Sequence, residues 1–169
     1  MYELVIVGPH NVGKTNLYNR ILGNSFEESY ISTVALDMCS FDNIHVTDTS
    51  GKQMFRNIVS VCLNKADCIL LVYDATSKES FKDIKKWYDT LDKTKDIVIV
   101  STKNDLDKVV PSEDGLQFSS SLELPFFEVS SKTDLGIPEL VKFITLKNPH
   151  KQDSITITDM VYNLYTSCW

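Results

Sequence analysis

Leu4-Val5-Ile6-Val7-Gly8-Pro9-His10-Asn11-Val12-Gly13-Lys14-Thr15 passes from four apolar residues through a glycine-bounded turn into a helical pattern that continues to Leu22. A short continuous apolar run of this kind predicts a strand covered on both faces. The turn has the spacing G-x-x-x-x-G-K-[ST], and its place between strand and helix is the context that gives the spacing meaning. Glycines let consecutive backbone N–H groups turn inward onto phosphate oxygens, and the positive end of the helix dipole favours the same anion. Asn11, Val12, Gly13, Lys14, Thr15 and Asn16 are therefore expected to cradle a phosphate chain. In this pattern Lys14 meets the β- and γ-phosphates and Thr15 offers its hydroxyl to Mg²⁺.

Outward from this turn, apolar runs alternate with amphipathic segments. Ala35 to Phe41 and Ile44 to Thr47 read as two strands joined at Asp42-Asn43, a hairpin signal. Ile69 to Tyr73, Ile97 to Val100 and Phe126 to Val129 read as further strands. Ser77 to Asp92 is helical, with Phe81, Ile84, Tyr88 and Leu91 on one face. Ser112 to Ser121 is a weak helix, because Gly115 and four serines lower its propensity. Ile137 to Leu146 is a helix with Pro138 in its first turn, where proline costs least. Strands separated by helices imply βαβ units and a sheet covered on both faces, to which the hairpin adds an antiparallel edge. The expected organisation is one α/β domain over residues 1–147 and an extension over 148–169. There Lys147-Asn148-Pro149-His150 breaks the last helix and Asp159 to Tyr165 starts a new helical pattern.

The 169 residues, 43% apolar, suffice for one domain burying roughly two-thirds of its unfolded surface. Lys and Arg number 17 against 23 Asp and Glu, a formal charge of -6. That balance argues against a general nucleic-acid binder, which needs a basic footprint, but leaves room for a local phosphate pocket. No apolar run reaches the roughly 20 residues that span a bilayer, and the N-terminus lacks the basic start of a signal peptide. Cys39, Cys62, Cys68 and Cys168 show no metal-ligand spacing; the first three read as reduced thiols of an intracellular protein.

Five segments in order carry a resemblance: the phosphate turn, then Tyr30-Ile31-Ser32-Thr33, Asp48-Thr49-Ser50-Gly51, Thr102-Lys103-Asn104-Asp105 and Ser130-Ser131-Lys132. From Tyr2 to about Leu146 the chain resembles a Ras-superfamily small GTPase, and Leu71 to Phe81 is similar to the Rab branch in particular. The resemblance implies a Ras-like P-loop GTPase fold, a six-stranded, mostly parallel sheet with about five helices. It implies GTP or GDP as ligand, with Mg²⁺ held by Thr15, Thr33 and Asp48. Thr33 and Gly51 would each give a backbone N–H to the γ-phosphate, and loss of that phosphate releases the switch loops. Asp105 would accept hydrogen bonds from the guanine N1 and N2 groups. Lys103 would lie along the base, Phe26 would pack edge-on against it, and Ser130, Ser131 and Lys132 would complete its pocket. Tyr30 and Leu106 are nucleotide contacts by the same analogy.

The departures bear on function. Lys52 stands where the family's glutamine orients the attacking water, and lysine has donors but no acceptor. The expectation is slow hydrolysis, biased toward the GTP form, with Lys14 catalytic; Gln53, next along, is the alternative that would substitute in catalysis. His10 stands where a small residue is usual and crowds the γ-phosphate side, where a partner's arginine finger would contribute on the order of 10³–10⁵ in rate. Thr102 replaces the asparagine that opens the base motif, so weaker base binding is expected. Ala35 replaces a glycine, and Met38 and Thr47 replace aromatics of the effector platform. Cys168 is penultimate, which is no C-a-a-X box; the chain is expected to be a fragment or to lack a lipid anchor. The reading is a GTP/GDP switch in vesicle traffic. It meets effectors, exchange factors and GTPase-activating proteins through its two switches, in the cytoplasm or peripherally on endomembranes. A pseudo-GTPase acting through protein contacts is the rival.

Overall fold

The computed structural model describes residues 1–28, 33 and 35–149. Tyr30, Ile31, Ser32 and the segment Asp159 to Tyr165 with Cys168 lie outside the described residues. The strands are β1 (Tyr2–Val7), β2 (Leu36–Phe41), β3 (Ile44–Thr49), β4 (Cys68–Asp74), β5 (Asp96–Thr102) and β6 (Phe126–Glu128). The helices are α1 (Lys14–Ile21), α2 (Arg56–Lys65), α3 (Lys78–Thr90), α4 (Ser112–Ser121) and α5 (Ile137–Lys147), with a short 3₁₀ turn at Gln53–Phe55. One six-stranded sheet has the order β2-β3-β1-β4-β5-β6. Every pairing is parallel except β2 with β3.

Apart from the largely exposed edge strand β2, the sheet is buried from both sides: side chains alternate along each strand and helices cover both faces. Leu4 and Ile6 face a layer with Leu17, Tyr18 and Ile21 of α1 and Leu140 and Ile144 of α5. Val5 and Val7 face the other, with Val59 of α2, Ile84 of α3 and Val110. β4 divides in the same way, Leu70 and Val72 against Ile69, Leu71 and Tyr73. Asp42 and Asn43 both have positive φ, 48° and 62°, the backbone of a tight two-residue hairpin. Ser77 caps α3 rather than joining it: its side chain accepts from the Ser80 N–H, and the helix begins at Lys78.

Helix α2 has no counterpart in the segments read from the sequence. Ile58, Val59 and Val61 are β-branched and weaken a helical signal. Only Val59 of α2 is fully buried, so its apolar stripe is narrow. β3 also runs past Thr47 to Thr49, which puts Asp48 inside the strand rather than at its end.

The carboxyl ends of β1, β3, β4, β5 and β6 point one way because these strands are parallel. β1 sits where the connections part: the next strands lie to one side of it and β4 to β6 to the other. Open α/β sheets bind ligands at such a switch point.

Candidate nucleotide site

The turn after β1 wraps the amino end of α1, whose N-cap is Gly13 at φ 86°. Lys14 is the first helical residue and is buried, and its ammonium donates to the carbonyls of Gly8 at 3.1 Å and Pro9 at 2.6 Å. Burial pulls its pKa down to about 8, partly opposed by the Asp48 charge. A small cavity of about 30 Å³ here is lined by His10, Asn11, Val12, Gly13, Lys14, Thr15 and Asn16, and by Thr33, Thr49, Ser50 and Gly51. Gly51 packs on this turn: a Cβ at that position would lie 2.5 Å from the His10 nitrogen and the Pro9 carbonyl. Only glycine allows that approach.

Three oxygens converge beside Lys14. Thr15 Oγ1 donates to Asp48 Oδ2 at 2.6 Å, Thr33 Oγ1 donates to the same oxygen at 3.1 Å, and the two hydroxyls are 2.8 Å apart. Burial pushes the Asp48 carboxyl upward, against the hydrogen bonds from Thr15 and Thr33 and the Lys14 charge. Asp48 Oδ1 is buried with no hydrogen-bond partner among the described residues. A buried, unpaired acceptor costs about 1–3 kcal/mol, and a hard cation is a natural partner for it. One carboxylate and two hydroxyls are oxygen donors of the kind Mg²⁺ takes while keeping several waters, so these residues fit that ion.

A second pocket of about 300 Å³ opens at the ends of β5 and β6, lined by Gly13, Asn16, Phe26, Glu28, Thr102, Lys103, Asp105, Leu106, Ser131 and Lys132. Ser130 lies behind it and donates its hydroxyl to Asp105 Oδ1 at 2.7 Å. Lys103 has φ 58°; its ammonium pairs with Asp74 at 2.6 Å and reaches the Asn11 carbonyl at 3.1 Å. The Thr102 hydroxyl is 2.6 Å from Val12 O and 2.9 Å from Tyr73 O. It therefore does link the phosphate turn to β4, although its single proton serves one carbonyl at a time.

The structure thus gathers Asn11 to Asn16, Thr33, Asp48 and Gly51 at one subsite, and Phe26, Thr102, Lys103, Asp105, Leu106, Ser131 and Lys132 at the other. Gln53 falls in the 3₁₀ turn beyond Gly51. Lys52 is exposed, with its backbone N–H 3.4 Å from Ser50 Oγ. Thr49, Ser50 and Glu28 also line the pockets, beyond the residues that the motifs single out. Thr49 and Ser50 lie inside the Asp48-to-Gly51 segment, while Glu28 carries no signal beyond its nearness to Phe26.

A parallel sheet whose first strand opens into this turn, with a second pocket beside it, defines the P-loop α/β fold of GTPases. Comparison with known proteins specifies it further. The Ras family model matches residues 3–148. The chain is 30% identical over 166 residues to GTP-binding protein ypt1 of Schizosaccharomyces pombe, covering 90% of this chain and 81% of the relative. It is 30% identical over 166 residues to Ras-related protein RABD1 of Arabidopsis thaliana, covering 90% and 80%. To GTP-binding protein YPTM2 of Zea mays it is 31% identical over 153 residues, covering 82% and 75%. The chain belongs to the Ras family, as a Rab-like small GTPase.

Proposed function

We propose that this chain is a Rab-type switch that binds GTP or GDP with Mg²⁺ and hydrolyses GTP slowly. The observation that carries the reading is the meeting of half-buried Thr15 and Thr33 with buried Asp48 beside Lys14, with Asp48 Oδ1 lacking a partner among the described residues. Thr15, Thr33 and Asp48 are the residues to hold the ion. When bound, Mg²⁺ supplies positive charge to the β- and γ-phosphates. Lys14 and the N–H groups of Asn11 to Thr15 and of Gly51 stabilise the charge that develops as the terminal phosphoryl group passes to water. Asn16 lines the phosphate subsite, and Tyr30 is a nucleotide contact by the family analogy alone. Asp105 selects guanine by accepting from N1 and N2, the Ser131 N–H meets the base oxygen, and Phe26, Lys103, Leu106 and Lys132 enclose the ring.

Slow turnover follows from Lys52 and His10. Lys52 cannot accept a hydrogen bond from the attacking water, and Gln53 stands one residue further along the chain than the family's glutamine. His10 crowds the side from which an arginine finger comes. Single-turnover hydrolysis by the purified protein and its Lys52→Gln variant tests this. The variant is expected to be at least several-fold faster, and equal rates contradict the assignment of position 52.

The same family reading supports a role in vesicle traffic, peripherally on cytosolic faces of endomembranes, with effectors, exchange factors and GTPase-activating proteins meeting both switches. Among the described residues no helix is long and apolar enough to cross a membrane. A second reading, a pseudo-GTPase that holds nucleotide without cleaving it, is favoured by the exposed Lys52. Phosphate release over many turnovers separates the two.

A further inference from the structure

We propose that Asn104 is a positioning residue for base recognition: its amide clamps the loop that carries Asp105 to the loop that carries Ser131. This rests on the guanine reading of the second pocket. Recognition of a guanine at two points needs the Asp105 carboxylate and the Ser131 N–H at a fixed separation. Those groups stand on different loops, one after β5 and one after β6.

Asn104 links the two. Its Nδ2 donates to Ser101 O at 2.8 Å, at the end of β5, and to Val129 O at 3.1 Å, just past β6, with Ser101 Oγ 3.2 Å away. Its backbone N–H also donates to Val129 O at 3.2 Å. The amide can sit only one way round, because three acceptors surround Nδ2 and a carbonyl turned there would face two carbonyls. Its other end, Oδ1, is buried with no hydrogen-bond partner among the described residues. Keeping such an acceptor unpaired is unfavourable, so the clamp is held at a local cost, as at a constrained site. Lys103, immediately before, has φ 58° and is tied to Asp74 and to Asn11 O. The backbone thus turns sharply and delivers Asn104 to Val129 and Asp105 to the Ser130 hydroxyl.

Two tasks are thereby divided between two residues. The Thr102 hydroxyl, with one proton, serves the phosphate turn and β4. The Asn104 amide, with two, serves the ends of β5 and β6.

Affinities for GDP and for inosine diphosphate, which lacks the 2-amino donor, are measured with Mg²⁺ on the full chain and on Asn104→Leu. The wild type is expected to prefer GDP. The variant should narrow that preference by roughly 2- to 13-fold, the span of one neutral hydrogen bond. A purely structural role for Asn104 weakens both nucleotides alike, and an unchanged ratio overturns the inference. Should Asn104→Leu fail to fold, the same ratio is measured on Asn104→Ser, whose side chain is too short to reach Val129 O. A narrowed preference there supports the clamp, and an unchanged one overturns it. A wild-type chain with no preference for GDP overturns the guanine reading and the clamp with it.

Discussion

Lys14 is where burial and charge conflict most directly. Its pKa is held at about 8 against an ordinary 10.5. Between those values the unfolded chain keeps a proton that the folded, unliganded chain has shed, so stability without ligand rises with pH across that window. Polyphosphate favours the charged ammonium, so nucleotide affinity runs the other way. GDP titrations from about pH 7 to about pH 9.5 are expected to show affinity falling above pH 8, and a flat profile contradicts a charged Lys14 at the phosphates. Ala35 shows a different strain. It occupies φ 69°, where a Cβ costs about 1–2 kcal/mol, set against about 0.5–1 kcal/mol of extra chain entropy for glycine. Ala35→Gly is expected to raise stability by about 0.5–1 kcal/mol in denaturant unfolding; a loss would show that the φ carries no strain. At this scale the residue types of the phosphate turn, and the aspartates at 48 and 105, were legible because each belongs to a motif with fixed spacing. Asn104 was not, since its partner Val129 is 25 residues away and nothing local marks the contact.

Elements were legible where one signal dominated. β4 is buried throughout and reads as a strand from its unbroken apolar run. The hairpin was legible from Asp42-Asn43. Helix α2 was not, because Ile58, Val59 and Val61 favour a strand locally while the fold needs a helix between β3 and β4. Gly115 in α4 illustrates the limit of propensity. Read alone it only weakens the helix, and replacement by alanine should gain about 1 kcal/mol. In the fold a Cβ there would meet the Tyr73 hydroxyl and come within 2.6 Å of Phe126 Cζ. Overpacking of this kind costs about 1–3 kcal/mol, so packing outweighs propensity. Gly115→Ala is expected to lower stability by up to about 2 kcal/mol net, and a stabilised variant would mean that α4 is not so close to the sheet.

Across the whole molecule, parallel pairing brings five strand ends to one edge, and the order β3-β1-β4 opens a crevice there. The phosphate subsite lies at the end of β1 and the base pocket at the ends of β5 and β6. Lys103, bridging Asp74 and Asn11 O, joins them into one site. A formal charge of -6 gives no general attraction for polyphosphate, so binding has to come from the local arrangement of Lys14, backbone N–H groups and a cation. The measurement that bears most directly on this account is identification of the nucleotide released when the purified protein is denatured. The account predicts a guanine nucleotide, near one per chain, part of it triphosphate. An empty protein, or one carrying adenine nucleotide, would contradict it.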